Sequence, residues 1–365
     1  MALAACILML AGCGLDMLEG AGGGGRRRPS RPGKPGDIGN AVITDTMKPV
    51  DFRDLRGWAD DDHRYALQAF RNTCAGRIQF TGTVIPDERL TREKCQIMPP
   101  ENAGRATVRD WFETHFQPFK VWDDKTLDGK FTGYFSPVRH ACRTQTERCS
   151  VPIMDRPRDG REFKGVHSRI IVEQRIGEVL FWIDPIDLQD MGSATLILED
   201  GERVRLSVAS TNDLPFNGIG SQLLARGIRP PGGFGMRSVR EFLKLPENRA
   251  LAQELVDNNP RYVFYTRSRT EAVYGRMGVP LSRIRSIAID ENIYTLGLPV
   301  FIDTTLSANG RPFQRLMIAQ DTGGAILGKN RVDIYFGVGE EAFEYAHGQN
   351  TKGQMYFFMP IEARR

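Results

Sequence analysis

The last quarter of the chain leaves few folds open. Between residues 285 and 359, five runs of four or five residues (285–289, 299–302, 315–319, 332–336 and 355–359) are rich in β-branched or aromatic side chains and are separated by Gly, Asn and Asp. One helical pattern intervenes, at 340–347. Strands this short and this dense argue against a βαβ sheet, whose parallel crossovers need a dozen or more residues each, and predict a small β-barrel. Upstream, residues 50–116 are largely helical in pattern, with Tyr65, Ala66, Ala69 and Phe70 on one face and Val108, Trp111, Phe112 and Phe116 at the same spacing. Residues 130–135 read as a strand ended by Pro137. Further short strands are expected at 169–172, 178–183, 194–198 and 203–208, the last two joined as a hairpin by Asp200-Gly201. Helices are expected at 219–224, 238–243 and 247–257, the last bounded by Pro246 and Pro260.

The 365 residues give room for about two domains. Formal net charge is +4, but 24–36 carries Arg26, Arg27, Arg28, Arg31 and Lys34 and no acid. Without those five the remainder stands at −1, so the folded part has no basic face for nucleic acid. Ahead of that run, residues 3–11 are almost wholly apolar and lead into Leu10-Ala11-Gly12-Cys13. This stretch is too short to span a bilayer and resembles the end of a secretory signal whose cysteine becomes lipid-modified. An ordinary cleaved signal or a disordered leader is the alternative. Residues 14–40, with four consecutive glycines at 22–25, read as a flexible linker. Export would place Cys74, Cys95, Cys142 and Cys149 in an oxidising compartment, with Cys74–Cys95 and Cys142–Cys149 the expected pairs. Zinc is the rival reading, but no C-x-x-C occurs.

Chemistry falls to carboxylates. His63, His115, His140, His167 and His347 show no ligand or triad spacing, and no P-loop or G-x-S-x-G is present, so neither metal nor cofactor is expected. Gly232-Gly233-Phe234-Gly235 does not follow a strand of a βαβ unit and reads as loop. Asp184, Asp187 and Asp190 lack the spacing of a calcium loop and read as a polar loop. Three other aspartates end or interrupt C-terminal strands: Asp290, Asp321 and Asp333. Alternation puts Val332, Ile334 and Phe336 on one face and Asp333 with Tyr335 on the other. A carboxylate beside an aromatic ring is placed to have a raised pKa and to serve as a general acid. The plain alternative is that all three cap turns.

The set Asp290…Asp321-Thr322-Gly323-Gly324-Ala325-Ile326…Asp333-Ile334-Tyr335-Phe336-Gly337 resembles the three-aspartate domain. With Phe131-Thr132-Gly133-Tyr134, Asn212, Ile219-Gly220 and Pro260-Arg261-Tyr262-Val263-Phe264, the chain resembles the membrane-bound lytic murein transglycosylase A family over about 67–358. The resemblance implies a double-psi β-barrel formed by 41–136 and 266–365, with a smaller β-rich domain, 137–265, inserted and a glycan groove between them. It implies that Asp333 is the catalytic acid, supported by Asp321, Asp290 and Tyr335. Thr132, Gly133, Tyr134, Ser193 and Asn212 would contact or line the sugar site. The implied substrate is the glycan of peptidoglycan, cut between MurNAc and GlcNAc to leave a 1,6-anhydro ring. The implied location is the periplasmic face of the outer membrane, held by lipid on Cys13, with cell-wall synthesis or division proteins as possible partners. The chain departs from the family where Gln-Gly-Ser-Gly becomes Met191-Gly192-Ser193-Ala194, and where tyrosines, glycines and a serine of the 208–220 segment are replaced, Val208 and Phe216 standing for the tyrosines. Two other readings remain: hydrolysis on the same barrel with Asp321 or Asp290 as base, and a wall-binding lipoprotein that holds glycan without cutting it.

Overall fold

The computed structural model describes residues 35–363, apart from 124, 125, 127, 190 and 191. The segment with Cys13 and the basic run after it lie outside the described residues, as do Asp190 and Met191. At the end of the expected linker, the Gly36 N–H donates to Gln117 Oε1 (3.0 Å) and the Asn40 N–H to Asp87 Oδ2 (2.9 Å).

Six strands close into a barrel. Gly129–Ser136 pairs with Arg331–Val338, which pairs with Ser286–Ala288, then Pro312–Asp321, Pro299–Thr305 and Asn350–Pro360, and the last returns to Gly129–Ser136. Phe116–Val121 and Met47–Pro49 extend the sheet beyond Asn350–Pro360. Two of the barrel pairings are parallel: Arg331–Val338 with Gly129–Ser136, and Ser286–Ala288 with Pro312–Asp321. The expected class, mainly β with a double-psi barrel and an inserted β-rich part, is what the chain adopts.

Period-two burial explains the closure. Met317 and Ala319 enter the barrel core with Ile287, Val332, Ile334, Phe336 and Phe357, whereas Leu316 and Ile318 face outward. There they meet Phe70 and Phe112 from the helices and Phe116 at the start of Phe116–Val121, so this strand is apolar on both faces. The helices are His63–Ala75, Glu88–Gln96 and Arg105–His115. Tyr65, expected on the buried face, is 61% exposed; the face that packs carries Ala66, Leu67, Ala69, Phe70 and Thr73. Cys74 and Cys95 are bonded (S–S 2.05 Å), tying the first two helices together, and Cys142 and Cys149 (1.99 Å) close a short loop.

Asp61, buried just before the first helix, is the polar anchor of that layer. Arg285 Nη1 and Nη2 donate to its two oxygens at 2.8 and 2.7 Å, and the Leu316 N–H adds a third bond at 2.8 Å. Burial pushes this carboxyl up, but the fork of Arg285, its charge and the Leu316 amide outweigh it and hold Asp61 below the ordinary range.

The inserted part is a second sheet in the order Val151–Asp155, Glu178–Ile183, Val138–Cys142, Ala194–Ile197, Arg203–Thr211, Val263–Arg267. Its hairpin turns at Gly201, whose φ of +83° suits glycine. Two stretches of the insert depart from the expected structure. Residues 169–172 are not a strand but lie in the helix Ser168–Glu173. His167 Nδ1 accepts the Arg169 N–H (3.2 Å) as a cap, and Arg169 pairs with Glu173 one turn on (2.8 Å), which outweighs the β preference of Ile170, Ile171 and Val172. Nor is the Asp184/Asp187 stretch a polar loop: Asp184 Oδ1 accepts the Ile186 N–H (2.9 Å) at the start of the helix Pro185–Gln189, and Asp187 is a buried carboxylate bonded by Arg240 and Lys244. Those cations stand on the helix Met236–Lys244, which packs with Ile219–Ala225 and Arg249–Asp257 around Leu223, Leu243 and Leu255.

Candidate active site

The parallel pairing of Gly129–Ser136 with Arg331–Val338 sets Thr132 beside Asp333 and Tyr134 beside Tyr335. Both strands turn their apolar alternates, Phe131, Val332, Ile334 and Phe336, into the core, so these four polar or aromatic residues share the opposite face. The Thr132 hydroxyl donates to Asp333 Oδ1. The Tyr134 hydroxyl donates to Asp321 Oδ2 (2.9 Å), and the rings of Tyr134 and Tyr335 lie 5.3 Å apart. Asp321, at the end of Pro312–Asp321, also receives the N–H groups of Arg276 (2.8 Å) and Thr322 (2.9 Å) on Oδ1.

The two carboxyls are unlike. Burial raises both above the ordinary range. Asp321 has three donors to support an anion, from Arg276, Tyr134 and Thr322; Asp333 has one, Thr132, with the charge of Arg331 nearby, and the charge of Asp321 raises it further. The donors therefore favour the anion more at Asp321 than at Asp333, the ordering that a general acid at Asp333 needs. Burial also holds the phenols of Tyr134 and Tyr335 neutral.

A reaction needing protonated Asp333 loses rate as pH rises through the raised pKa. Thr132→Val removes a bond that favours the carboxylate, so the alkaline limb of the rate profile moves to higher pH. Asp321→Asn removes a charge that disfavours it, so the limb moves to lower pH. Rate profiles of the two variants check these opposite shifts.

The other expected site residues are placed differently. Gly133 faces the core: a Cβ there would lie 2.5 Å from Phe336 Cε2 and 3.0 Å from Ala346 Cα, so its smallness serves packing and not sugar contact. Gly133→Ala is expected to lower unfolding free energy by about 1–3 kcal/mol through overpacking, measurable by urea titration. Asn212 is fully buried: its Nδ2 donates to the carbonyls of Val166 and Pro260 (both 2.7 Å) and its Oδ1 accepts the Tyr262 N–H (2.9 Å). It joins backbone segments within the insert and has no free group for a sugar. The Ser193 carbonyl accepts from the Ser136 hydroxyl (2.9 Å), where the insert meets the barrel. Asp290 accepts from Asn292 (3.0 Å) and the Gly328 N–H (2.9 Å), fixing the loop between the Asp321 and Asp333 strands without bonding Asp333. Tyr335 meets Tyr134 and makes no hydrogen bond to Asp333. The direct partner, Thr132, was expected at the sugar; the amides of Arg276 and Thr322 carry no side-chain signal that a sequence could show.

Comparison with known proteins gives two family matches: the 3D domain over residues 285–359 and the MltA specific insert domain over residues 130–266. The lytic transglycosylase LtgG of Burkholderia pseudomallei is 30% identical, and the match covers 89% of this chain and 99% of that one, with a TM-score of 0.62. The chain belongs to the membrane-bound lytic murein transglycosylase A family. MltA from Neisseria gonorrhoeae is 26% identical, with 92% of this chain and 99% of that one covered and a TM-score of 0.75. Membrane-bound lytic murein transglycosylase A of Vibrio cholerae is 28% identical over 241 residues, 61% of this chain. The match spans 64% of the length of that curated relative.

Proposed function

We propose that this member of the family cleaves the β-1,4 bond between MurNAc and GlcNAc in peptidoglycan by intramolecular transfer, with Asp333 handling both protons. The observation that carries the reading is the asymmetry of the carboxyls. Asp333 is half-buried and raised, with one hydrogen-bond donor, whereas Asp321 and Asp290 have their oxygens engaged by backbone amides and side chains. A hydrolase ordinarily needs a second carboxylate to activate water or attack carbon. Here that second group is committed to structure.

In the proposed step, neutral Asp333 gives its proton to the glycosidic oxygen leaving with GlcNAc. The C6 hydroxyl of MurNAc closes onto its own C1 as an oxocarbenium-like charge develops there. Asp333, now a carboxylate, takes the hydroxyl proton, which restores the acid and consumes no water. The nucleophile is already tethered to the substrate, so proximity supplies much of the rate. Asp321, Tyr134 and Thr132 hold the acid in place and set its proton affinity. The glycan would lie across this face between barrel and insert; Phe216 and Val208, at positions that hold tyrosine in the family pattern, are exposed. Anchoring through lipid on Cys13 at the outer membrane belongs to the same proposal; the relatives are named membrane-bound, and no described helix is long and apolar enough to cross a membrane.

Mass spectrometry of purified peptidoglycan digested with the protein tests the reaction. Anhydro-muropeptides are expected. Reducing-end products one water heavier would mean hydrolysis, and binding without products would mean a wall-binding module.

A further inference from the structure

Arg205 is an electrostatic anomaly at the junction of the two sheets. It stands on Arg203–Thr211 opposite Thr195 and is 3% exposed. Its Nη1 donates to Ser136 Oγ (2.6 Å) and Thr195 Oγ1 (3.3 Å), while Nε and Nη2 are buried without a hydrogen-bond partner. Among the described residues no carboxylate forms an ion pair with it, the charge of Glu271 acting only from beyond salt-bridge distance, unlike Arg285, which at similar burial grips Asp61. Replacing an unpaired buried cation with an apolar side chain of similar volume is commonly neutral or stabilising, so a role in stability alone does not explain this guanidinium.

What surrounds it is the catalytic strand pair. Ser136 ends the strand that carries Thr132 and Tyr134, and it is in register with Val338 at the end of the strand that carries Asp333 and Tyr335. The same hydroxyl that accepts from Arg205 donates to the Ser193 carbonyl, so one bonded chain runs from the insert to the barrel and back. Tyr335 lies within the field of the cation, and its ring leads through Tyr134 to the Asp321 carboxylate.

We infer that Arg205 is a positioning residue, docking the insert onto the ends of the two catalytic strands and holding the Tyr335, Tyr134 and Asp321 side of the site in register with Asp333. Its readout rests on the transglycosylase reaction proposed above. Because it acts through geometry, its loss lowers turnover more than it weakens the fold, and a lysine able to reach one of the two hydroxyls restores part of the effect.

The test compares the full chain with Arg205→Met and Arg205→Lys by thermal unfolding and by steady-state release of anhydro-muropeptides. Arg205→Met is expected to melt at the wild-type temperature or above with kcat reduced about tenfold or more; Arg205→Lys is expected to fall between. A methionine variant with kcat within twofold of wild type overturns the assignment. So does a parallel loss of stability and turnover that lysine does not rescue. If Arg205→Met fails to fold, Arg205→Lys decides: reduced kcat with wild-type melting supports the assignment, and unchanged kcat or a second unfolded protein overturns it. A wild type that releases no anhydro product counts against the proposed reaction instead. The docking role is then read from amide exchange over 129–136 and 331–338, which Arg205→Met must accelerate and which unchanged exchange would refute.

Discussion

Asp333→Asn is expected to reduce anhydro-product release on the order of a thousandfold or more while the protein melts no lower than wild type. General acid–base groups contribute roughly 10²–10⁴ in rate, and in the proposed reaction one carboxyl serves both proton transfers, so the expected loss lies toward the upper end. The stability half of the prediction follows from the direction of the pKa. Burial raises the folded-state value of Asp333 above its unfolded value. The stability contributed by its protonated form is therefore complete below the unfolded pKa and is lost as pH rises through the folded one. Asparagine is close in shape and neutral at every pH, so it escapes that loss; its melting temperature should equal or exceed wild type at pH 7, and the difference should narrow in mild acid. Activity lost together with stability across the pH range would mean that Asp333 holds the fold and not the chemistry.

The largest effect on stability is expected at Asp61→Ala, at about 3–5 kcal/mol in urea unfolding. Removing this carboxylate leaves the buried guanidinium of Arg285 with only the Leu316 carbonyl, leaves the Leu316 N–H without its acceptor, and releases the helical layer from the barrel strand it covers. The penalty is mostly that of the orphaned charge, so the double variant Asp61→Ala/Arg285→Met should recover part of it, which a double-mutant cycle measures. Asp61 is held below its unfolded pKa, so its contribution is present above the unfolded value and lost as pH falls through the folded one. The gap between wild type and Asp61→Ala should therefore shrink in strong acid.

Much of this was legible in the chain because its signals were local. Each C-terminal run of β-branched and aromatic residues seeds a strand, and alternation around Asp333 assigns the face it occupies. Hidden were effects of register and partner. Thr132 bonds Asp333 across 201 positions through a parallel pairing that no local pattern encodes. Asn212 and Gly133, read as sugar-lining, turn inward because the insert needs an amide to join three backbone segments and the barrel needs room for Phe336. Ile170, Ile171 and Val172 favour a strand, but a cap at His167 and an ion pair one turn later make them helical. Arg205 looks like any exposed strand arginine until the barrel strand ending at Ser136 is laid against it.

In the proposed reaction one carboxyl drives cleavage without water. Digesting peptidoglycan in water labelled with heavy oxygen, and weighing the newly formed MurNAc ends, tests it most directly. The expected result is anhydro ends with no label incorporated; reducing ends that carry one heavy oxygen at C1 would contradict it.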